Sequence, residues 1–211
     1  MVKAKTDTAI IFDFDGTIAD SFLTTIRVIY KATHHAPLPY EDTSRLRSMS
    51  MYQLSRALNI SWWKLFFLTR RVRRLMREEM SGIELIPGID TAIKTLYREN
   101  KLFILSSNST SNIREFLYRH EIDTYFSDIY GDANPLSKKR RLAELIEQKS
   151  LSKLRTWYIG DEAQDIKSAK RVGIKAIAVT WGYNNIHRLQ AQSPDELIYS
   201  PDELSALFNK Q

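Results

Sequence analysis

The chain has 211 residues, of which 43% are hydrophobic and 27% charged, the balance of one large globular domain or of a core with a modest insertion, not of a disordered or membrane protein. A net charge of +6 favours anionic partners but leaves phosphorylated metabolites, nucleic acid and anionic lipid all open. The absence of cysteine excludes disulfides, cysteine-based zinc or iron–sulfur sites and thiol nucleophiles, and is consistent with a reducing compartment.

From the amino terminus, MVKAKTDTAIIF carries basic residues, but its apolar run stops at Asp13, short of the roughly 7 to 15 apolar residues of a signal-peptide core. Export by that route is not expected, and a cytoplasmic location is. AIIF at 9 to 12 reads as a buried strand that ends in the acidic, glycine-containing turn DFDGT. Residues 18 to 86 then read as helical, interrupted by the proline-containing loop HHAPLPYEDTS and closed by IPGI. The strongest helix there starts near Ser61, a candidate N-cap, and runs through LFFLTRRVRRLM with Leu65, Leu68, Val72, Leu75 and Met76 as its apolar stripe. The greasiest stretch, ISWWKLFFL at 60 to 68, contains Lys64 and falls well short of the ~20 residues of a spanning helix, so no membrane insertion is expected.

Beyond residue 87, strand and helix alternate. LFILS at 102 to 106, WYIGD at 157 to 161 and AIAVT at 176 to 180 repeat the design of AIIF, and such unbroken apolar runs suit parallel strands covered on both faces. IREFLYRHE at 113 to 121 and RRLAELIEQ at 140 to 148 place apolar residues at helical spacing, and QDIKSAKRVG ends in Gly173, a helix stop. This order predicts a doubly wound, mainly parallel α/β sheet, with a core from 1–17 and 87–211 and an inserted helical domain over 18–86. Ligands of such sheets sit beyond the carboxyl ends of the strands, where the strand order reverses. Asp13, Asp15, Ser106 and Asp161 all fall at such ends, so the topology brings them to one edge.

Two neighbouring carboxylates resist joint ionisation unless a cation intervenes. One ionised aspartate can attack phosphorus while its neighbour gives a proton to the leaving oxygen and later takes one from water. A hard divalent cation would explain the third carboxylate, Asp161, arriving from another strand, because Mg2+ prefers oxygen ligands. Asp165, four residues on, sits where a helix would begin and could hold a metal-bound water. The Ser106 hydroxyl and main-chain N–H groups at the next helix start can donate to a phosphoryl group. Lys138, or its neighbour Lys139, can supply positive charge.

The ordered series DFDGT, an apolar strand ending in Ser, a Lys, then GDEAQD resembles the haloacid dehalogenase (HAD) superfamily of phosphohydrolases. With a helical insertion directly after DFDGTIADS, it is most similar to the phosphoglycolate-phosphatase-like branch. The resemblance spans nearly the whole chain, including YFSDIYGD at 125 to 132 and AKRVGIKAIAVTWGYN at 169 to 184, and is weakest across 22 to 86. It implies a HAD-like Rossmannoid core with a helical cap, and an Mg2+-dependent phosphatase of a small phosphorylated metabolite working through an aspartyl-phosphate. It further implies that Asp13 is the nucleophile and Asp15 the acid/base. Ser106, with Ser107 beside it, and Lys138 would bind phosphate, Lys139 being the reserve. Asp13, Asp161 and the main-chain carbonyl of Asp15 would bind the metal, with Asp165 behind them. Ser106 is preferred because counting back from Tyr125-Phe126 puts it at the family's position.

Other features carry less. The arginines Arg70, Arg71, Arg73, Arg74 and Arg77 read as the solvated face of an amphipathic helix, and nucleic acid is not expected as a partner, since no reading module accompanies them. Trp62, Trp63, Phe66 and Phe67 cannot all face one side of a helix. His34, His35, His120 and His187 show no metal-ligand spacing. The rival functions are a phosphomutase of the same branch and a non-catalytic polyanion-binding protein. Oligomeric state is not legible in the sequence.

Overall fold

The unbroken apolar runs become strands because helices cover both of their faces. In the computed structural model, which describes residues 8–33, 43–49, 53, 71–72, 74–132 and 137–209, β1 (Ala9–Phe12) is followed by α1 (Phe22–Thr33) and α2 (Thr43–Ser48). Then come α3 (Ile89–Tyr97), β2 (Lys101–Leu105), α4 (Thr110–Arg119), β3 (Asp128–Tyr130) and α5 (Lys138–Gln148). The chain closes with β4 (Thr156–Gly160), α6 (Ala163–Val172), β5 (Lys175–Val179), α7 (Ile186–Gln190), β6 (Glu196–Ile198) and α8 (Pro201–Asn209). Among the described residues the strands form one parallel sheet in the order β3-β2-β1-β4-β5-β6. This is the doubly wound, HAD-like Rossmannoid architecture expected, with the order reversing between β1 and β4.

Alternation along each strand sorts its side chains to two faces. Ile10, Phe12, Ile104 and Ile159 face α3, α4 and α8, where Ile93, Phe116 and Leu204 meet them. Ile11, Phe103, Leu105 and Tyr158 face α5, α6 and α7 through Leu142, Ile166 and Leu189. The three longer strands after β1 each begin one residue earlier than the apolar runs suggest. Lys101, Thr156 and Lys175 enter the ladder opposite Ala9, Ala9 and Trp157, and both lysine side chains stay exposed. A backbone rung needs no apolar side chain. β3 and β6 were not legible at all, because DIY and ELI are three residues long and pair along one side only.

After β1 the chain turns away through residues 13–20 and returns through 83–86, and these two stretches are stitched together. Asp20 donates its N–H to Glu84 O, and Ile86 to Ile18 O, both at 2.9 Å, with Ala19 and Leu85 forming an antiparallel bridge. Between them lie α1, α2 and helical residues 71–72 and 74–79. In that last stretch Leu75 and Met76 are buried while Arg74 and Arg77 are exposed, as the amphipathic pattern requires. Ser61, Trp62, Trp63, Lys64, Leu65, Phe66, Phe67, Leu68, Arg70, Arg73, His34 and His35 lie outside the described residues. Among the described residues no helix is long and apolar enough to cross a membrane.

Gly173 ends α6 with φ +84°, its N–H closing on Ala169 O at 3.0 Å. A Cβ there would meet nothing closer than 4.0 Å, so the left-handed backbone alone sets the cost of substitution. Gly173→Ala should therefore destabilise the fold by about 1 kcal/mol, measured by urea denaturation. An unchanged midpoint would show that the helix end relaxes out of that conformation.

Candidate active site

The site is assembled at the carboxyl ends of β1, β2 and β4. Asp13 stays in the ladder one residue past β1, its N–H donating to Ile159 O at 2.8 Å, and Phe14 N–H donates back to Asp13 Oδ1 at 2.8 Å. Asp161 follows β4. Its Oδ1 accepts from Thr17 Oγ1 and its Oδ2 from Tyr183 N–H, each at 2.7 Å. Gly16, at φ +76°, passes so near that a Cβ would lie 2.4 Å from Asp161 Oδ2. Gly182 is tighter, at 2.2 Å from the same carboxyl group. Only glycine permits this approach from both sides.

Lys138, the first residue of α5, is buried, and its Nζ donates to Asp13 Oδ2 at 2.7 Å and to Asp165 Oδ1. Lys139, the other lysine considered, is exposed. Asp165 also serves its own helix, accepting Glu162 N–H on Oδ2 at 3.1 Å in a capping box. It is thus both the helix-start acid and a partner of the lysine. Ser106 is buried at the end of β2, held by its N–H to Tyr130 O at 3.0 Å, and its Oγ accepts from Asn108 N–H at 3.2 Å. Ser107 lies half-buried in the next turn. The Asp15 carboxyl accepts from Asn108 Nδ2 at 3.0 Å on Oδ2.

Asp13, Asp161 and Asp165 each present an oxygen within 4.8 Å of the others, against one ammonium. Three carboxylates and one lysine sum formally to minus two. A like pair about 5 Å apart costs about 3 kcal/mol at an effective dielectric of about 20. The protein answers by holding protons: burial, then Asp13, Asp165 and Glu162, push Asp161 well up, and burial with Asp13 and Glu162 pushes Asp165 up despite Lys138. Burial and then Asp13 push Asp15 up to about 6. For Lys138, burial opposes the charge, but Asp13 and Asp165 outweigh it and hold the ammonium well above its ordinary range. Among described residues the direct donors to Asp161 are neutral, so an all-oxygen cluster in charge deficit fits a hard divalent cation.

Residues 10–179 match the family described as haloacid dehalogenase-like hydrolase. The chain belongs to that family. It is 36% identical over 203 residues to a phosphoglycolate phosphatase of Synechococcus elongatus, covering 93% of this chain and 94% of that protein. A phosphoglycolate phosphatase of Vibrio cholerae is 27% identical over 216 residues, covering 94% of each. Among solved structures, a haloacid dehalogenase-like hydrolase from Streptococcus pneumoniae superposes with a TM-score of 0.81 at 24% identity, over 95% of this chain and 98% of that one. That likeness concerns the fold.

The geometry also recruits residues to which sequence reasoning gave no role. Asn108 reaches Asp15 across 93 positions, Thr17 reaches Asp161 across 144, and Tyr183 reaches it through its main chain. Thr17 stands inside the DFDGT stretch already singled out and Asn108 directly follows Ser106 and Ser107, but their partners could not be read without the sheet order. Arg47 on α2 is a fourth. Its guanidinium lies 3.9 Å over the Phe22 ring and donates to Trp181 O at 3.2 Å. Burial lowers its pKa while the charges of Asp20 and Asp161 pull it back up.

Asp15 generates a pH test in metal-free buffer. Its folded carboxyl keeps a proton to about 6, whereas the ordinary value is 3.8, so over that window the unfolded chain binds fewer protons and stability falls as pH rises. Asp15→Asn removes this contribution, and its stability relative to wild type should improve by on the order of 2 kcal/mol between about pH 4 and 7. Urea titrations in EDTA would read it, and a pH-independent difference would contradict the buried-acid assignment.

Proposed function

We propose that this haloacid dehalogenase-like phosphatase hydrolyses a small phosphomonoester through an aspartyl-phosphate on Asp13, with Mg2+ as its metal. The observation that carries the reading is the Lys138 ammonium seated between Asp13 and Asp165, beside an Asp15 that retains its proton to about 6. An ammonium is thus held against the proposed nucleophile, and the neighbouring carboxyl is kept able to donate.

Asp13 would attack phosphorus in line, forming a P–O bond as the ester bond breaks. Asp15 would protonate the departing alkoxide. It would then take a proton from the water that attacks the aspartyl-phosphate, releasing phosphate and restoring Asp13. Ser106, Ser107 and Lys138 would bind the phosphoryl oxygens. Asp13, Asp161 and the main-chain carbonyl of Asp15, with Asp165 behind them, would hold Mg2+, which supplies positive charge to offset the carboxylates and the developing phosphoryl charge. Residues 18–86 would act as a cap that closes over the core of 1–17 and 87–211 to exclude bulk water. This role would place the protein in the cytoplasm, with which the absence of cysteine is consistent.

Phosphoglycolate is the substrate favoured by the named relatives. Arg47 adds a chemical reason, because a cation near Asp161 at the seam between α2 and the core suits a substrate with a second negative charge. Phosphate release from a panel of phosphomonoesters should require Mg2+, favour phosphoglycolate and vanish in Asp13→Asn. A folded wild-type protein releasing no phosphate from any ester would sink the reading, and transfer to a second sugar hydroxyl would convert it to a mutase. Arg47→Ala should raise KM for phosphoglycolate by roughly tenfold, the value of one charged hydrogen bond, while leaving an ester with a neutral tail nearly unchanged. Equal losses on both would assign Arg47 a structural role only.

A further inference from the structure

Asn108 has both ends of its side-chain amide committed. Oδ1 accepts from Ser109 N–H at 2.8 Å and from Asn112 Nδ2 at 3.2 Å. A main-chain N–H can only donate, so the amide oxygen must face Ser109 and the amide nitrogen must face the other way. That nitrogen donates to Asp15 Oδ2 at 3.0 Å. The main chain of Asn108 is braced as well, its carbonyl accepting Asp132 N–H at 2.6 Å. Asp132 in turn sits at φ +58° with its carboxylate on Thr110 N–H and Oγ1, at the start of α4.

The two oxygens of Asp15 are therefore unlike. Oδ2 receives an N–H, and a proton placed there would point at that donor. Oδ1 is buried and has no hydrogen-bond partner among the described residues. The Ser21 hydroxyl is near enough to favour the charged form of Asp15, and it pairs with Tyr183 Oη at 3.1 Å. A buried, unpartnered acceptor costs about 1 to 3 kcal/mol in a finished core. An oxygen left so can accept a group that arrives with the substrate.

We propose that Asn108 is a positioning residue for the acid–base step, holding the Asp15 carboxyl by Oδ2 so that Oδ1 alone exchanges the proton. As the ester P–O bond breaks, its electron pair stays on the alkoxide, which takes the proton from Oδ1. When water attacks the aspartyl-phosphate, its proton passes to Oδ1 and the Asp13 carboxylate leaves. The inference rests on the acid/base reading of Asp15 given above.

The test exploits leaving groups. p-Nitrophenolate departs without a proton, whereas the alkoxide of phosphoglycolate does not, and kcat/KM reports the step in which that bond breaks. Asn108→Asp keeps the acceptor toward Ser109 and Asn112 but turns an oxygen toward Asp15, and Asn108→Ser serves should that variant not fold. With the Mg2+-loaded enzyme, kcat/KM for phosphoglycolate should fall on the order of 100-fold and that for p-nitrophenyl phosphate less than about fivefold, the signature of lost general-acid assistance. Inhibition by inorganic phosphate should be unchanged. Equal losses on both esters, or weakened phosphate inhibition, would overturn the proposal by making Asn108 a phosphate ligand, and unchanged kinetics would overturn it outright. Asp15→Asn separates the two levels. If it shows the leaving-group split and the Asn108 variants do not, this inference alone falls. If Asp15→Asn keeps full activity on phosphoglycolate, the acid–base reading falls with it.

Discussion

The contact between the Lys138 ammonium and the carboxylates of Asp13 and Asp165 is the one on which the rest of the site depends. Buried acids without a counter-charge are costly, and this ammonium is a counter-charge that the two carboxylates share. The lysine comes from the first turn of α5, so the packing of that helix through Leu142 and Leu145 against the sheet fixes where the charge lies. Tyr158 forms the floor beneath it, its ring 5.5 Å from Nζ and its hydroxyl tied to Leu105 O at 3.0 Å. Moving α5 would move the positive charge set between the two carboxylates.

One lysine offsets one charge of three. The remainder is spread over neutral donors, Thr17 Oγ1 and Tyr183 N–H on Asp161 and Glu162 N–H on Asp165. These donors orient the oxygens without adding positive charge, so protons held on Asp161 and Asp165 or a bound cation must meet the remaining demand. The glycines at 16 and 182 serve the same end by letting backbone rather than side chains approach Asp161. Packing and electrostatics are thus not separable here: any side chain at either position would displace the carboxylate whose placement creates the demand.

The two acids after β1 receive different treatment from the fold. Asp13 remains in the ladder and is gripped by a charged donor, while Asp15 has left the ladder and is gripped by a neutral amide from the turn after β2. A neutral donor favours the ionised form only weakly, so burial prevails at Asp15 and the two acids are set apart. The division needs three strands side by side, because Lys138, Asn108 and Asp161 come from different connections of the sheet.

The four longer strands, the helices α4 to α6, the acids at strand ends and the family kinship were readable from the chain, because unbroken apolar runs, helical spacing and a terminal glycine are local signals that near neighbours in sequence settle. The choice of Lys138 over Lys139 as the lysine that reaches Asp13 was not, since both open the same helix and only its rotation against the sheet buries one and exposes the other. The short strands β3 and β6 carry too few residues for a periodicity. The partnerships of Asn108 with Asp15 and of Thr17 with Asp161 span 93 and 144 positions. The sequence by itself determined which chemical groups would stand at the carboxyl edge of the sheet. Which of them touch, and therefore which carboxyl group meets the ammonium and which the neutral amide, was decided only by tertiary structure, because electrostatic interaction and burial depend on distance in space and not along the chain.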